Sequence, residues 1–153
     1  MKVLLTGGTG QLGHAIIESK PEKIDLIAPS RHILNLEDNK ECFEIIEKIK
    51  PDFVINSGAY TNVEKAEKEK KLAMKVNHKA PEAIAYALQK YGGKLIQIST
   101  DYVFNGEKNS AYNVNDIQNP INVYGKSKYL AEQSIKDILQ EKNQLMVIRT
   151  SWL

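Results

Sequence analysis

The sequence predicts an α/β fold in which a doubly wound parallel sheet is covered by helices. Three observations carry that reading. Five short apolar runs recur along the 153 residues. Several are apolar at successive positions, without in-and-out alternation, as in strands buried on both faces. Between them lie segments with a helical apolar rhythm, and strand–helix–strand alternation implies right-handed crossovers onto one sheet.

Taken in order, the first strand is Val3–Thr6. A glycine-rich turn follows it, and then Leu12, Ala15 and Ile16 open a helix. The second strand is Ile24–Ala28. Cys42, Ile45, Ile46 and Ile49 fall at i, i+3, i+4 and i+7, one helical face. Lys50-Pro51-Asp52 separates that helix from the third strand, Phe53–Asn56. The charged run 64–71 places Glu64 four residues before Lys68, and Glu67 four before Lys71, which predicts a solvated helix face. Ala80, Ala83, Ile84, Ala87, Leu88 and Tyr91 keep the helical rhythm for three turns, until Gly92-Gly93 stops it. The fourth strand is Leu95–Ser99. Ala131, Ile135, Ile138 and Leu139 mark a last helix before the fifth strand, Met146–Thr150. The expected strand order is 3-2-1-4-5, with the fifth strand at an edge and Val147, Ile148 and Trp152 partly exposed.

Composition narrows the function classes. Hydrophobic residues make up 42% and charged residues 26%, with mean hydropathy −0.40, a globular rather than disordered balance. Twenty-one basic against nineteen acidic residues leave a net charge of +2, which argues against a nucleic-acid or polybasic membrane-binding protein. No stretch approaches the roughly 18 apolar residues of a membrane span. The apolar run at the N-terminus is too short for a signal-peptide core, so a cytoplasmic location is expected. The single cysteine, Cys42, has no partner for an internal disulfide and fits a reducing compartment.

In such sheets ligands bind beyond the carboxyl ends of the strands, so the residues just after each strand carry the functional reading. After the first strand stands Gly7-Gly8-Thr9-Gly10-Gln11-Leu12-Gly13. Gly7 suits a tight turn, Gly10 lets backbone amides approach a pyrophosphate, and Gly13 lets the helix pack close to the strand. The phosphate then meets the positive helix N-terminus. This is the pattern of a Rossmann-type dinucleotide-binding turn; the alternative is a plain glycine turn. After the second strand, Ser30 and Arg31 occupy the region where an NAD site places an acidic residue. A guanidinium pairs with a 2′-phosphate, which favours NADPH, with NADH as the other option. An unliganded surface arginine is the competing reading.

Tyr124 and Lys128 stand four residues apart, on one helix face, where a phenol and an ammonium address one ligand. A free phenol titrates near ~10. A neighbouring ammonium and an oxidised nicotinamide are expected to lower that value. Thr100 closes the fourth strand, at the ligand-binding rim, where its hydroxyl can bond a substrate carbonyl while Tyr124 delivers a proton.

With these residues assembled, the chain resembles the extended short-chain dehydrogenase/reductases and, within them, the dTDP-4-dehydrorhamnose reductases. The resemblance rests on Leu5-Thr6-Gly7-Gly8-Thr9-Gly10-Gln11-Leu12-Gly13, Ile55-Asn56-Ser57-Gly58-Ala59-Tyr60-Thr61 with Val63-Glu64-Lys65-Ala66-Glu67, Ser99-Thr100-Asp101-Tyr102-Val103-Phe104, Asn122-Val123-Tyr124-Gly125-Lys126-Ser127-Lys128, and Arg149-Thr150-Ser151-Trp152. These segments recur in family order along essentially the whole chain. The resemblance implies NADPH- or NADH-dependent reduction of the C4 ketone of dTDP-4-dehydro-β-L-rhamnose. It makes Tyr124 the proton donor, Lys128 its electrostatic and ribose partner, and Thr100 the carbonyl-orienting hydroxyl. It places Ala59 and Tyr60 beside the nicotinamide ribose, and Asp101, Tyr102 and Trp152 near the substrate. The implied partner is a nucleotide sugar, with neither nucleic acid nor membrane, and a homodimer is compatible with it.

The sequence also departs from the family. Ala15 stands where magnesium-dependent members carry Glu, so no metal role is implied. Gly58 replaces the usual Ala, and Asn35-Leu36 the usual Asp-Leu beside the adenine. Family members are nearly twice as long. The expectation is therefore one dinucleotide-binding domain over 1–153, with the substrate domain missing, and weak cofactor binding with little activity from these residues alone. Two other functions fit the residues: a nucleotide-sugar epimerase or dehydratase of the same superfamily, and a non-catalytic NADP-binding regulatory subunit.

Overall fold

Five strands form one parallel sheet: β1 (Lys2–Thr6), β2 (Asp25–Ile27), β3 (Phe53–Asn56), β4 (Lys94–Thr100) and β5 (Leu145–Thr150). The structure is a computed structural model and describes residues 1–141 and 143–151. The α/β class and the parallel sheet are as expected, and β5 lies at an edge.

The order, however, is β2-β1-β3-β4-β5 and not 3-2-1-4-5: β3 sits between β1 and β4 instead of outside β2. Buried polar side chains explain the placement. The Thr6 hydroxyl donates to Asn56 Oδ1 (2.5 Å), and Asn56 Nδ2 donates to Gln97 Oε1 (2.8 Å). All three residues are almost fully buried, and such groups must be hydrogen-bonded. Only a β3 flanked by β1 and β4 lets Asn56 reach both partners. β2 has three residues, none fully buried, and suits the edge.

Helices follow from this order. The chain leaves β1 toward β2 and then returns over β1 to β3. Right-handed crossovers therefore put α1 (Gln11–Ser19) on one face and α2 (Asn39–Ile49), α5 (Ala80–Gln89) and α6 (Val123–Ile138) on the other. These last three pack side by side, α2 on α5 and α5 on α6. Cys42, Ile46, Ile84, Leu88, Ile135 and Leu139 form the main core above Leu4, Val54 and Leu95. Burial pushes the Cys42 thiol up to about 12, so it behaves as a small apolar side chain.

Two-sided burial fails for the last strands. In β4, Leu95, Gln97 and Ser99 are buried while Lys94, Ile96 and Ile98 are partly exposed. In β5, Met146 and Ile148 are exposed and Val147 packs against the core. Val147, half-buried, and Ile148 thus meet the expectation of partial exposure, and Trp152 lies outside the described residues.

The charged run also differs from expectation. It breaks into α3 (Val63–Ala66), capped by Asn62, and α4 (Lys70–Met74). The i,i+4 pair formed there is Lys65–Glu69 (3.1 Å). Glu67 accepts the Val123 amide (2.7 Å), and Glu69 accepts the Tyr60 hydroxyl (2.8 Å). α4 then runs through a π-helical turn (Lys75–Lys79) into α5. Pro81, at the start of α5, has no amide to offer the preceding turn, and the wider turn absorbs that gap. Among the described residues no helix is long and apolar enough to cross a membrane.

Candidate active site

The reversal of strand order falls between β1 and β3, so the crevice opens at their carboxyl ends. Gly7 ends β1 with φ +70°, and a Cβ there would lie 2.6 Å from the Gly58 Cα after β3. Gly13 faces the same constraint from the helix side, because a Cβ on it would sit 2.1 Å from the Gly7 carbonyl oxygen. The close helix–strand approach expected of the third glycine is thus present. Gly10 precedes α1 with no side-chain cap, and no acidic residue occupies the first turn. The first amides of α1 are therefore left for an anion.

From this turn a cleft of about 850 Å³ runs along the sheet edge. Gly7, Gly10, Gln11, Leu12 and Gly13 form one wall, Arg31 lies at one end, and Ala59 and Tyr60 lie after β3. Thr100, Asp101, Tyr102, Tyr124 and Lys128 form the far wall. Its size is that of a small-molecule site. One sequence candidate is not brought in: Ser30 does not line the cleft, and its carbonyl instead accepts the Ile33 and Leu34 amides in a turn.

The far wall is built by β4 and α6. Asn122 caps α6 by accepting the Gly125 amide (2.7 Å), which sets where the helix begins and so where Tyr124 stands. Lys128, one turn on, is buried, and its Nζ donates to the Ile98 carbonyl (2.6 Å). Thr100 Oγ1 accepts the Tyr102 amide (3.2 Å) and donates to Asp101 Oδ1 (3.1 Å). The Tyr102 ring meets Tyr124 edge-on, with centroids 5.6 Å apart.

The electrostatics differ from expectation at Tyr124. Burial, followed by the nearness of Asp101 and Tyr102, pushes its phenol above the usual value, although the Thr100 hydroxyl opposes this. Lys128 uses one of its N–H donors on the Ile98 carbonyl, and burial pulls its ammonium down to about 8, with Glu132 acting the other way. In the chain by itself Tyr124 therefore keeps its proton at neutral pH.

Lys128 carries a testable pH signature. Its folded value lies below the ordinary lysine value, so the folded state binds fewer protons across that window and stability gains from Lys128 as pH rises. Lys128→Met lacks this gain. The melting temperature of Lys128→Met relative to the parent chain is expected to fall between pH 7 and pH 10. Thermal unfolding of both proteins across that range measures it; a constant difference would contradict the burial argument.

Sequence reasoning missed several residues that hold the site together. Asn77, buried in the π-helical turn, accepts the Tyr60 amide (2.8 Å) and donates to the Tyr60 carbonyl (2.9 Å) and to Ser127 Oγ (3.0 Å). It thereby ties the loop after β3 to α6. Glu132 accepts from Ser99 Oγ (2.5 Å), Gln118 Nε2 (2.6 Å) and Arg149 Nη2 (2.7 Å). Glu132 lies four residues beyond Lys128 on the same helix face, a signal available in the sequence. Asn77 and Arg149 have no such local signal. Among the described residues no three His, Cys, Asp or Glu side chains gather as a metal-binding group.

Comparison with known proteins decides the family. The model of the RmlD substrate binding domain matches residues 1–153. The chain belongs to the RmlD substrate-binding-domain family. A dTDP-4-dehydrorhamnose reductase of Salmonella typhimurium is 36% identical over 157 residues, covering 100% of this chain and 52% of that protein. The crystal structure of a dTDP-4-dehydrorhamnose reductase from Clostridium acetobutylicum superposes with a TM-score of 0.93 at 35% identity, covering 99% of this chain and 54% of that one. The dTDP-4-dehydrorhamnose reductase of Bacillus anthracis, solved in complex with NADP, gives 0.91 at 38% identity, covering 99% and 53%. This RmlD-family chain thus spans about half the length of the relatives it matches.

Proposed function

We propose that this chain is the dinucleotide-binding and catalytic part of an NADPH-dependent dTDP-4-dehydrorhamnose reductase. One observation carries the reading: Thr100, Tyr124 and Lys128 share a cleft with the glycine turn that opens α1. The names of the reductase relatives, and the NADP bound to one of them, support it. In this reading residues 1–153 are one dinucleotide-binding domain. Most contacts to the sugar nucleotide then come from the part of the relatives that this chain does not span. A cytoplasmic setting accords with such an enzyme.

The residues fit the cofactor. The α1 amides and the Gly7–Gly13 turn would hold the pyrophosphate, Arg31 would meet the 2′-phosphate, and Ala59, Tyr60 and Lys128 would line the nicotinamide ribose. NADPH, when bound, supplies a hydride to the ketone carbon. Tyr124, protonated at neutral pH, donates its phenol proton as charge develops on the carbonyl oxygen. Thr100 orients that oxygen by donating its hydroxyl hydrogen, which requires a turn away from Asp101. Asp101 and Tyr102 flank the substrate at the mouth of the cleft.

The test is equilibrium titration of the chain with NADPH, followed by cofactor fluorescence. Binding is expected in the parent chain. Gly10→Val is expected to weaken it about 10- to 100-fold, because the added side chain occupies the approach to the first α1 amides. Unchanged affinity in a folded Gly10→Val protein would remove the dinucleotide reading.

A further inference from the structure

Arg31 and Glu37 both line the end of the cleft beside the glycine turn, and they form an ion pair with each other. The two residue types have opposite meanings in a dinucleotide site. A carboxylate near the end of the second strand bonds the ribose 2′-hydroxyl of NAD, while a guanidinium pairs with the 2′-phosphate of NADP. Here one of each is present, and they are engaged with one another. The turn holds Glu37 in place: its amide donates to Asn35 Oδ1 (3.1 Å), and the Asp38 side chain caps α2 immediately afterwards. Arg31 is the more exposed member, with its side chain 76% exposed against 34% for Glu37.

We infer that Glu37 sets cofactor choice at this site by competing with the 2′-phosphate for Arg31. This rests on the dinucleotide reading above and assigns its specificity. For NADPH to gain from Arg31, the guanidinium must leave Glu37, and the carboxylate then stands as an uncompensated negative charge near the phosphate. For NADH no such exchange is needed, and Glu37 can accept the 2′-hydroxyl. The consequence is a site that takes both cofactors, with the advantage of NADPH held down by Glu37.

The experiment is titration of the 153-residue chain with NADPH and with NADH, in the parent and in Glu37→Gln, Arg31→Ala and the double variant. Glu37→Gln keeps shape and hydrogen-bonding capacity and removes only the charge. It is expected to raise the NADPH-over-NADH affinity ratio about three- to tenfold, chiefly by tightening NADPH. Arg31→Ala is expected to bring the ratio to one or below, because Glu37 then stands uncompensated, and adding Glu37→Gln to it to raise the ratio by less than the same change does in the parent. A ratio unmoved by Glu37→Gln overturns the proposal, as does a shift of full size in the Arg31→Ala background. If the folded parent chain binds neither cofactor, the dinucleotide reading itself fails. Binding of both with no response to Glu37 overturns the specificity assignment alone.

Discussion

In the reductase proposed above, Tyr124→Phe is expected to lower turnover by about 10²–10⁴-fold, with substrate KM and NADPH affinity changed by only a few-fold. The substitution removes one oxygen. The ring, its edge-on contact with Tyr102 and the α6 backbone all remain. Burial pushes the Tyr124 phenol above its usual value, so it carries its proton at neutral pH, and in the proposed role that proton matters only as the carbonyl oxygen gains charge. An interaction made in the transition state and not in the ground state appears in turnover. The measurement is loss of NADPH absorbance at saturating dTDP-4-dehydro-β-L-rhamnose. Near-normal turnover would point to a different acid and remove Tyr124 from that role.

Arg149→Leu is expected to destabilise the fold by about 3–5 kcal/mol at neutral pH. Glu132 is 5% exposed and is held by Arg149 through both carboxylate oxygens. Removing the guanidinium leaves a buried charge with only the neutral donors Ser99 and Gln118. Arg149 also donates to the Val114 carbonyl (3.2 Å) and lies over the Phe104 ring, so its loss frees the loop over residues 105–122 from β5. The double variant Arg149→Leu/Glu132→Gln removes the orphaned charge and is expected to recover a large part of the loss. Urea unfolding of the parent, both single variants and the double completes the cycle. Strict additivity would show that the pair is not coupled.

The periodic signals were legible residue by residue. Cys42, Ile45, Ile46 and Ile49 do form one face of α2, and the five apolar runs are the five strands, with no boundary shifted by more than one residue. Local signals failed where a side chain had two uses. Glu67 reads as a surface partner of Lys71, yet it accepts the Val123 amide, and Glu69 accepts the Tyr60 hydroxyl beside its ion pair with Lys65. A charge pattern shows what can pair along one helix; it does not show what another element offers at closer range.

By itself the sequence determined the α/β class, the glycine turn at the end of β1, and the helical spacing of Tyr124 and Lys128, because each depends on neighbours a few residues away. Tertiary structure alone decided the strand order and the partner of Lys128. The order turned on Asn56, which needs Thr6 on one side and Gln97 on the other, residues 50 and 41 positions away. Lys128 found the Ile98 carbonyl, 30 positions back, and that burial holds its ammonium near 8. Such choices follow from which buried polar group can be satisfied by which distant strand, and they exist only once the sheet has brought those strands together.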